Sequence, residues 1–455
     1  MKQVSKKVTA VKLTLCTVLT LSLIVMTLYI IYMLNLTQVQ VAFDLDMITS
    51  DKSGYNIDIS RYLLPEFIGI TSEGEKSGIS GSVNILSELY RELSGVISEV
   101  MRGENKIDDN AVDWKELEEY ESSVYVRYYN VLPDCIIGIF ADSYSMEDDA
   151  FDADLPDAHM RSEEVSSYVY EMYIIPNTDG SGKIIVAVKS KNGDTVIYSG
   201  VAESVFTGES VEKMREAYLS SMYTYKMLGG EPVFTENVVA RNVIITENTA
   251  QSNTESDMRE LMQFFALNPD KLLSSHEDEE GNSSYIDTHG ILSVTASAFE
   301  YTSSSDGGIG IDDFIGHSDS GTLEEYIKAS ISIINFIRSL NKNYAGGDAE
   351  IYFDSVSSSD GKVTLSFMYS FDGIVIEDIE PAFTAVFENG ILRSARLYTI
   401  SVRNLGDRQE LMSEKMFIDI ISSGGVSIKN TSLVYRGDFV SESVKAEWRG
   451  ETWGE

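Results

Sequence analysis

Residues 13–34 read LTLCTVLTLSLIVMTLYIIYML, 22 residues without one charge, and this run limits what the rest of the chain can be. As an α-helix rising about 1.5 Å per residue it would reach roughly 33 Å, enough to cross a hydrocarbon core of about 30 Å. Lys2, Lys6, Lys7 and Lys12 precede it with no acidic residue, and the first carboxylate after it is Asp44. Lysines at one end predict that this end stays cytoplasmic, and Tyr29 and Tyr32 suit the opposite interface. The expectation is a cytoplasmic tail over 1–12, a single transmembrane helix over 13–34, and all later residues outside the cytoplasm. A cleaved signal peptide is the alternative. Its apolar core normally spans about 7–15 residues before a small-x-small site. The residues that follow here, NLTQVQV, hold no such site.

A chain of 455 residues leaves room for two or three domains beyond the helix. Hydrophobic residues make up 43% and aromatic residues 10%, which calls for folded cores rather than a disordered stalk. The formal net charge is -37, and without the four N-terminal lysines the remainder is more negative still. Such a surface excludes nucleic acid as a main partner, because phosphate binding needs clustered Lys and Arg. Cys16 lies in the apolar run and Cys135 far from it, so no disulfide framework is available, a pattern that fits a bacterial exported protein.

Hydrophobic periodicity then divides the outer part. Residues 35–80 read as irregular around Tyr62-Leu63-Leu64-Pro65. Offsets of three and four predict an amphipathic helix over 82–102, with Gly103 as its stop. Strands are expected over 123–129 and 134–140, and a β-meander over 168–175, 183–189 and 195–201, its turns marked by Asp179-Gly180 and Asn192-Gly193. Helices are expected over 210–228, 254–265, from Thr322 to about 340, and 408–422; Thr322 has the side chain of an N-cap. Short strands are expected between and after them. Helices laid in turn on antiparallel meanders make an α+β fold, not alternating βαβ. The predicted organisation is a transmembrane helix followed by two or three helix-on-meander modules, over 35–205, 206–320 and 321–455.

The search for chemistry returns little. His159, His276, His289 and His317 never stand four apart, and neither His-Glu-x-x-His nor Cys-x-x-Cys occurs. Gly316-His317-Ser318-Asp319-Ser320-Gly321 approaches a nucleophile elbow, but its second glycine falls one place late. Gly308-Ile309-Gly310 lacks the remaining Rossmann glycine and any P-loop lysine. Nine carboxylates lie within 142–164, without the EF-hand spacing or its glycine, and read as a solvated acidic loop. No catalytic residue, cofactor site or metal site is assigned. One pattern remains inside the membrane run. At 100° per residue Thr17, Thr20 and Thr27 share a stripe with Ile24 and Ile31, an arrangement suited to helix–helix contact in lipid. The competing reading is that each hydroxyl bonds back to a carbonyl of its own helix.

Three stretches carry a resemblance. Residues 258–310 hold Phe264-Phe265, Asn268-Pro269-Asp270, Glu279-Glu280-Gly281, Tyr285, Gly290–Val294 and Glu300-Tyr301 in that order. Residues 363–395 read VTLSFMYSFDGIVIEDIEPAFTAVFENGILRSA, and residues 122–141 read SSVYVRYYNVLPDCIIGIFA. These resemble the YycH/YycI family, membrane-anchored extracytoplasmic regulators of the WalK (YycG) sensor histidine kinase. The resemblance implies a non-catalytic regulatory protein with no cofactor. Its partners would be the membrane and a sensor kinase, with a second YycH/YycI-like regulator as a further candidate. A module binding wall polymer or a peptide in the cell envelope is the alternative, and it would need an aromatic-lined groove. An exported hydrolase would need Ser318, a histidine and an acid to converge.

Overall fold

Strand 123–133 of this computed structural model has side chains of alternating character, and its two faces meet different partners. The structure describes residues 57, 59–101, 106–107, 114–145, 167–177, 183–190, 193–201, 206–247, 254–279, 282–304, 307–316, 321–340, 346–359, 361–436 and 443–452. The chain divides into two units, Met1–Tyr55 and Asn56–Glu455. The first, which holds the expected membrane helix and its stripe of Thr17, Thr20, Ile24, Thr27 and Ile31, lies outside the described residues. Among the described residues no helix is long and apolar enough to cross a membrane.

The second unit opens with strands β1 (Pro65–Ser72) and β2 (Glu75–Ile79), helix α1 (Val83–Met101), strand β3 (Ser123–Pro133) and helix α2 (Asp134–Ser145). The expected meander follows as β4 (Tyr168–Ile175), β5 (Lys183–Lys189) and β6 (Thr195–Val201). Helix α3 (Gly208–Tyr218) and the hairpin β7 (Tyr223–Leu228) and β8 (Glu231–Phe234) complete the region. With Lys106–Ile107 on one edge these strands form a nine-stranded antiparallel sheet, ordered β6-β5-β4-β3-β1-β2-β7-β8.

Later come β9 (Val238–Glu247), α4 (Glu255–Phe264), β10 (Ser274–Glu277), β11 (Ser283–Ile286), β12 (Gly290–Val294) and β13 (Ala298–Ser303). Helix α5 (Leu323–Leu340) precedes β14 (Glu350–Ser359), β15 (Lys362–Phe371), β16 (Ile374–Glu377), β17 (Phe383–Glu388), β18 (Ile391–Tyr398) and β19 (Ile400–Leu411). Helix α6 (Glu414–Ser423) and strands β20 (Ile428–Arg436) and β21 (Ala446–Thr452) end the described chain. A twelve-stranded sheet joins most of these strands, antiparallel except where β16 meets β20. The α+β class and the antiparallel meanders are as expected.

Several boundaries differ from the sequence expectation. Residues 134–140, expected as a strand, are helical in α2, because the Asp134 carboxylate accepts from the Cys135 amide and the apolar run is buried beside α1. The helix expected over 210–228 stops at Tyr218; after a tight turn the chain alternates as β7, with Tyr225 buried against Phe67. The helix expected from 408 starts only at Glu414, since 400–411 pairs with β9 and Ser413 supplies the cap by accepting from the Met416 amide. Within 35–80, expected to be irregular, β1 and β2 form a paired hairpin. Thr254 and Asp257 cap α4 reciprocally, and Thr322 and Glu325 do the same for α5.

The two faces of β3 set the layers. Tyr128 bonds Tyr90 of α1 at 3.0 Å, which places α1 over the face carrying Val124, Val126 and Tyr128. Residues of the other parity, Tyr125, Arg127 and Tyr129, look toward the C-terminal strands: the Tyr129 hydroxyl donates to the Gly373 carbonyl, and the Tyr129 and Tyr352 rings lie 5.5 Å apart. On this side Gly69 and Gly78 face each other across β1 and β2, and the rings of Phe67 and Tyr225 lie over them. A Cβ on Gly78 would come within 2.4 Å of the Phe67 ring. Gly78→Ala is therefore expected to cost about 1–3 kcal/mol by overpacking, measured by urea unfolding; an unchanged midpoint would mean that the rings shift freely.

Candidate functional site

Helix α6 buries a charge and leaves apolar side chains outside. Of its residues only Glu414 is buried, while Met416 is 55% and Ile420 49% exposed. Phe417, Ile418 and Ile421 are only half-buried. At 100° per residue Met416, Ile420 and Phe417 fall on adjoining positions around the helix, so the exposed apolar flank is continuous. Met412 before the helix and Val426 after it are also exposed. Trp448 of β21 donates its indole N–H to the Met412 carbonyl, which brings an indole beside the start of the helix. A contiguous apolar surface of this kind marks an interaction site more readily than scattered exposed residues do.

What fixes α6 is polar. Glu414 Oε2 accepts from the Phe234 amide of β8 at 2.9 Å, and Oε1 accepts from the Thr431 hydroxyl of β20. Behind Glu414 lies Arg127, 4% exposed at the middle of β3. Its Nε donates to Glu66 Oε2 at 3.0 Å, Nη1 to Glu231 Oε2 at 3.4 Å and Asn430 Oδ1 at 3.3 Å, and Nη2 to the Thr431 carbonyl at 3.3 Å. Asn430 in turn accepts from the Thr431 amide at 2.8 Å and donates to the Tyr170 hydroxyl.

Sheet register explains the assembly. Arg127 stands opposite Glu171, and Glu171 opposite Lys189, so three charges lie in one row across β3, β4 and β5. Lys189 meets Glu171 at 3.0 Å and sits 5.2 Å from the Trp114 ring centre. On the other side Arg127 stands opposite Phe67, and the irregular register between Pro65 and Phe67 brings Glu66 to the guanidinium. Four carboxylates, from Glu66, Glu171, Glu231 and Glu414, thus surround two cations.

Burial and crowding both favour the uncharged acids. Desolvation pushes the Glu66 carboxyl up to about 7 against the pull of Arg127, with Glu414 and Glu231 adding to the rise. Desolvation and then the Glu231 charge push Glu171 up to about 8, against Lys189. Burial also raises Glu414, opposed by Arg127. Glu66 Oε1 is buried without a hydrogen-bond partner, a further cost to its ionised form.

The residues singled out from the sequence fall elsewhere. His276 lies on β10 opposite Ser284, and His289 in the turn after β11; both are exposed. His159, His317, Ser318 and most of the acidic loop 142–164 are outside the described residues. No group of three His, Cys, Asp or Glu able to hold a metal occurs among the described residues. An open cleft lined by Lys76, Lys115, Lys226, Glu118 and Glu119 near Gly229-Gly230 mixes both signs of charge. The sequence carries a signal for Arg127, which is the lone charge in SVYVRYYN, on the parity of Tyr125 and Tyr129. Glu414 had none, because its burial depends on strands far away in sequence.

No protein-family model and no curated protein matches the chain. Among solved structures the chain is similar to the crystal structure of YycH from Bacillus subtilis, with a TM-score of 0.53 and 14% identity. The match covers 87% of this chain and 95% of that one. The likeness is one of fold.

Raised carboxyl groups give stability a definite pH dependence. The folded protein keeps protons that the unfolded chain gives up near 4.5, so this contribution is full below that pH and is lost as pH rises through about 7 and 8. The melting temperature is expected to fall between pH 6 and pH 9, and Glu171→Gln should flatten that slope. Arg127→Leu is expected to destabilise by about 3–5 kcal/mol, because it strands buried carboxylates. Calorimetry across pH checks both, and a melting temperature that rises from pH 6 to 9 would contradict the assignment.

Proposed function

We propose that the chain is a membrane-anchored, extracytoplasmic, non-catalytic regulator of a two-component sensor histidine kinase. The observation that carries this reading is the YycH fold, followed over nearly the whole of both chains. The resemblance of residues 122–141, 258–310 and 363–395 to the YycH/YycI family supports it independently. The uncharged run over 13–34 with its preceding lysines supports the anchor and the placement of the folded unit outside the cytoplasm.

The regulator works by differential contact: a surface that binds one kinase conformation better than another shifts the kinase toward it. Two surfaces serve. In the membrane, Thr17, Thr20, Ile24, Thr27 and Ile31 pack against a helix of the kinase or of a second YycH/YycI-like regulator. Outside, the Met416–Ile420 flank of α6 meets the kinase's extracytoplasmic part. The wall-polymer alternative has less support. It needs exposed aromatic rings lining a groove, whereas Tyr62, Tyr90, Tyr125, Tyr128, Tyr173, Tyr198, Tyr225, Tyr301, Tyr369 and Tyr435 are all fully buried.

Affinity purification of the tagged full-length chain from bacterial membranes is expected to recover a sensor kinase. Met416→Glu with Ile420→Glu should weaken recovery at least about tenfold, the loss of roughly 1.4 kcal/mol or more of contact. Both sites are exposed, so the melting temperature should stay nearly unchanged. Thr20→Leu with Thr27→Leu tests the membrane stripe in the same way. Recovery of the kinase unchanged by both double variants would remove these two surfaces from the account, and no kinase at all would remove the regulatory reading.

A further inference from the structure

The polar node under α6 holds more acid than its cations neutralise. Among the described residues the cations that Glu66, Glu171, Glu231 and Glu414 face are Arg127 and Lys189. The Glu231 carboxylate, itself on Arg127, adds its charge to the burial that works against ionised Glu171. Glu66 presents its second oxygen to a buried space with no donor.

We propose that this node is a proton-operated latch, in which protons held by Glu66 and Glu171 keep α6 and β20 seated on the nine-stranded sheet. The proposal names the regulation of the α6 surface and rests on the reading of that surface as a contact site.

The route from proton loss to helix release follows from position. Glu414, the buried end of α6, faces Arg127, Glu66 and Glu231 together. Ionising Glu66 places a full negative charge opposite Glu414 in a site that excludes water, where the repulsion is little screened. Ionising Glu171 adds charge on the same side. Arg127 then meets more negative charge on the sheet side, while its bonds to β20 go to the neutral oxygens of Asn430 and Thr431. Neutral acceptors hold a guanidinium less strongly than carboxylates do, so the seat of α6 and β20 is the weaker side. Among the described residues the other groups that face these carboxyls are Tyr125, Tyr129, Tyr170, Tyr173 and Tyr352, which stay neutral phenols and bring no positive charge.

Hydrogen exchange on the full-length protein in detergent, without kinase, tests the latch. Corrected for intrinsic rates, protection over 414–436 is expected to fall about tenfold or more from pH 6 to pH 9. Protection in α1, over 83–101, should stay within about twofold, as a helix seated on the apolar face. Glu66→Gln with Glu171→Gln should make protection over 414–436 independent of pH. Equal wild-type protection at both pH values would overturn the latch, even if the double variant does not fold. So would pH-dependent loss that includes α1 to the same extent, because it would report general loosening. Kinase recovery at the two pH values is scored separately: loss of recovery at pH 9 alone supports the regulatory role. Kinase absent at both, with the exchange pattern intact, leaves the latch and removes the partner reading.

Discussion

Arg127 is a guanidinium buried in the middle of a β-strand, and the second unit is arranged around what that cation requires. A buried charge without partners costs several kcal/mol, so the surrounding elements must bring acceptors to it. They come from both ends of the sequence. Glu66 and Glu171 flank it in the sheet, Glu231 arrives on the β7–β8 hairpin, and Asn430 and Thr431 reach it from β20. Residues some 300 positions apart therefore meet at one side chain. A more apolar contact could be equally strong, but it would be indifferent to register, whereas the Arg127 fork accepts partners only at fixed positions.

The same requirement separates the two faces of the nine-stranded sheet. One face is largely apolar and takes α1, with the Tyr90–Tyr128 hydroxyl pair and the bond from the Tyr198 hydroxyl to Asp134 among its polar contacts. The other carries the row Lys189, Glu171, Arg127 and Phe67 and receives the C-terminal strands. Glycines thin this second face where the Phe67 and Tyr225 rings approach the backbone. Helix α6 is tied down by hydrogen bonds to Glu414, and its Met416 and Ile420 side chains stay exposed. They are left for something else to cover, which is why a structural detail becomes a functional candidate.

The sequence announced the elements whose signals are local. Thr254 and Thr322 cap the helices their spacing indicated, and the β4–β5–β6 meander follows its alternation and its turn residues. It misled where tertiary contact outweighs local pattern. The run Cys135-Ile136-Ile137 looks like strand but is helical, because Asp134 starts a helix whose apolar side chains pack beside α1. The Tyr-rich stretch after Tyr218 looks helical but alternates into β7, where the Tyr225 ring packs edge-on against Phe67. The node shows a finer limit. Arg127 was visible as one charge among aromatic residues, yet with 72 acidic residues in the chain no local rule could pick its four carboxylates. Register chose them, and register depends on the whole sheet.

The account stands on a buried site that holds more carboxyl groups than its two cations can neutralise. Carbon NMR of the full-length protein, with glutamate carboxyls labelled, reads this charge state directly. The account predicts that Glu66 and Glu171, identified by their Gln variants, remain protonated at pH 6 and titrate near 7 and 8. Both carboxyls titrating below about pH 5, with the exposed glutamates, would contradict it.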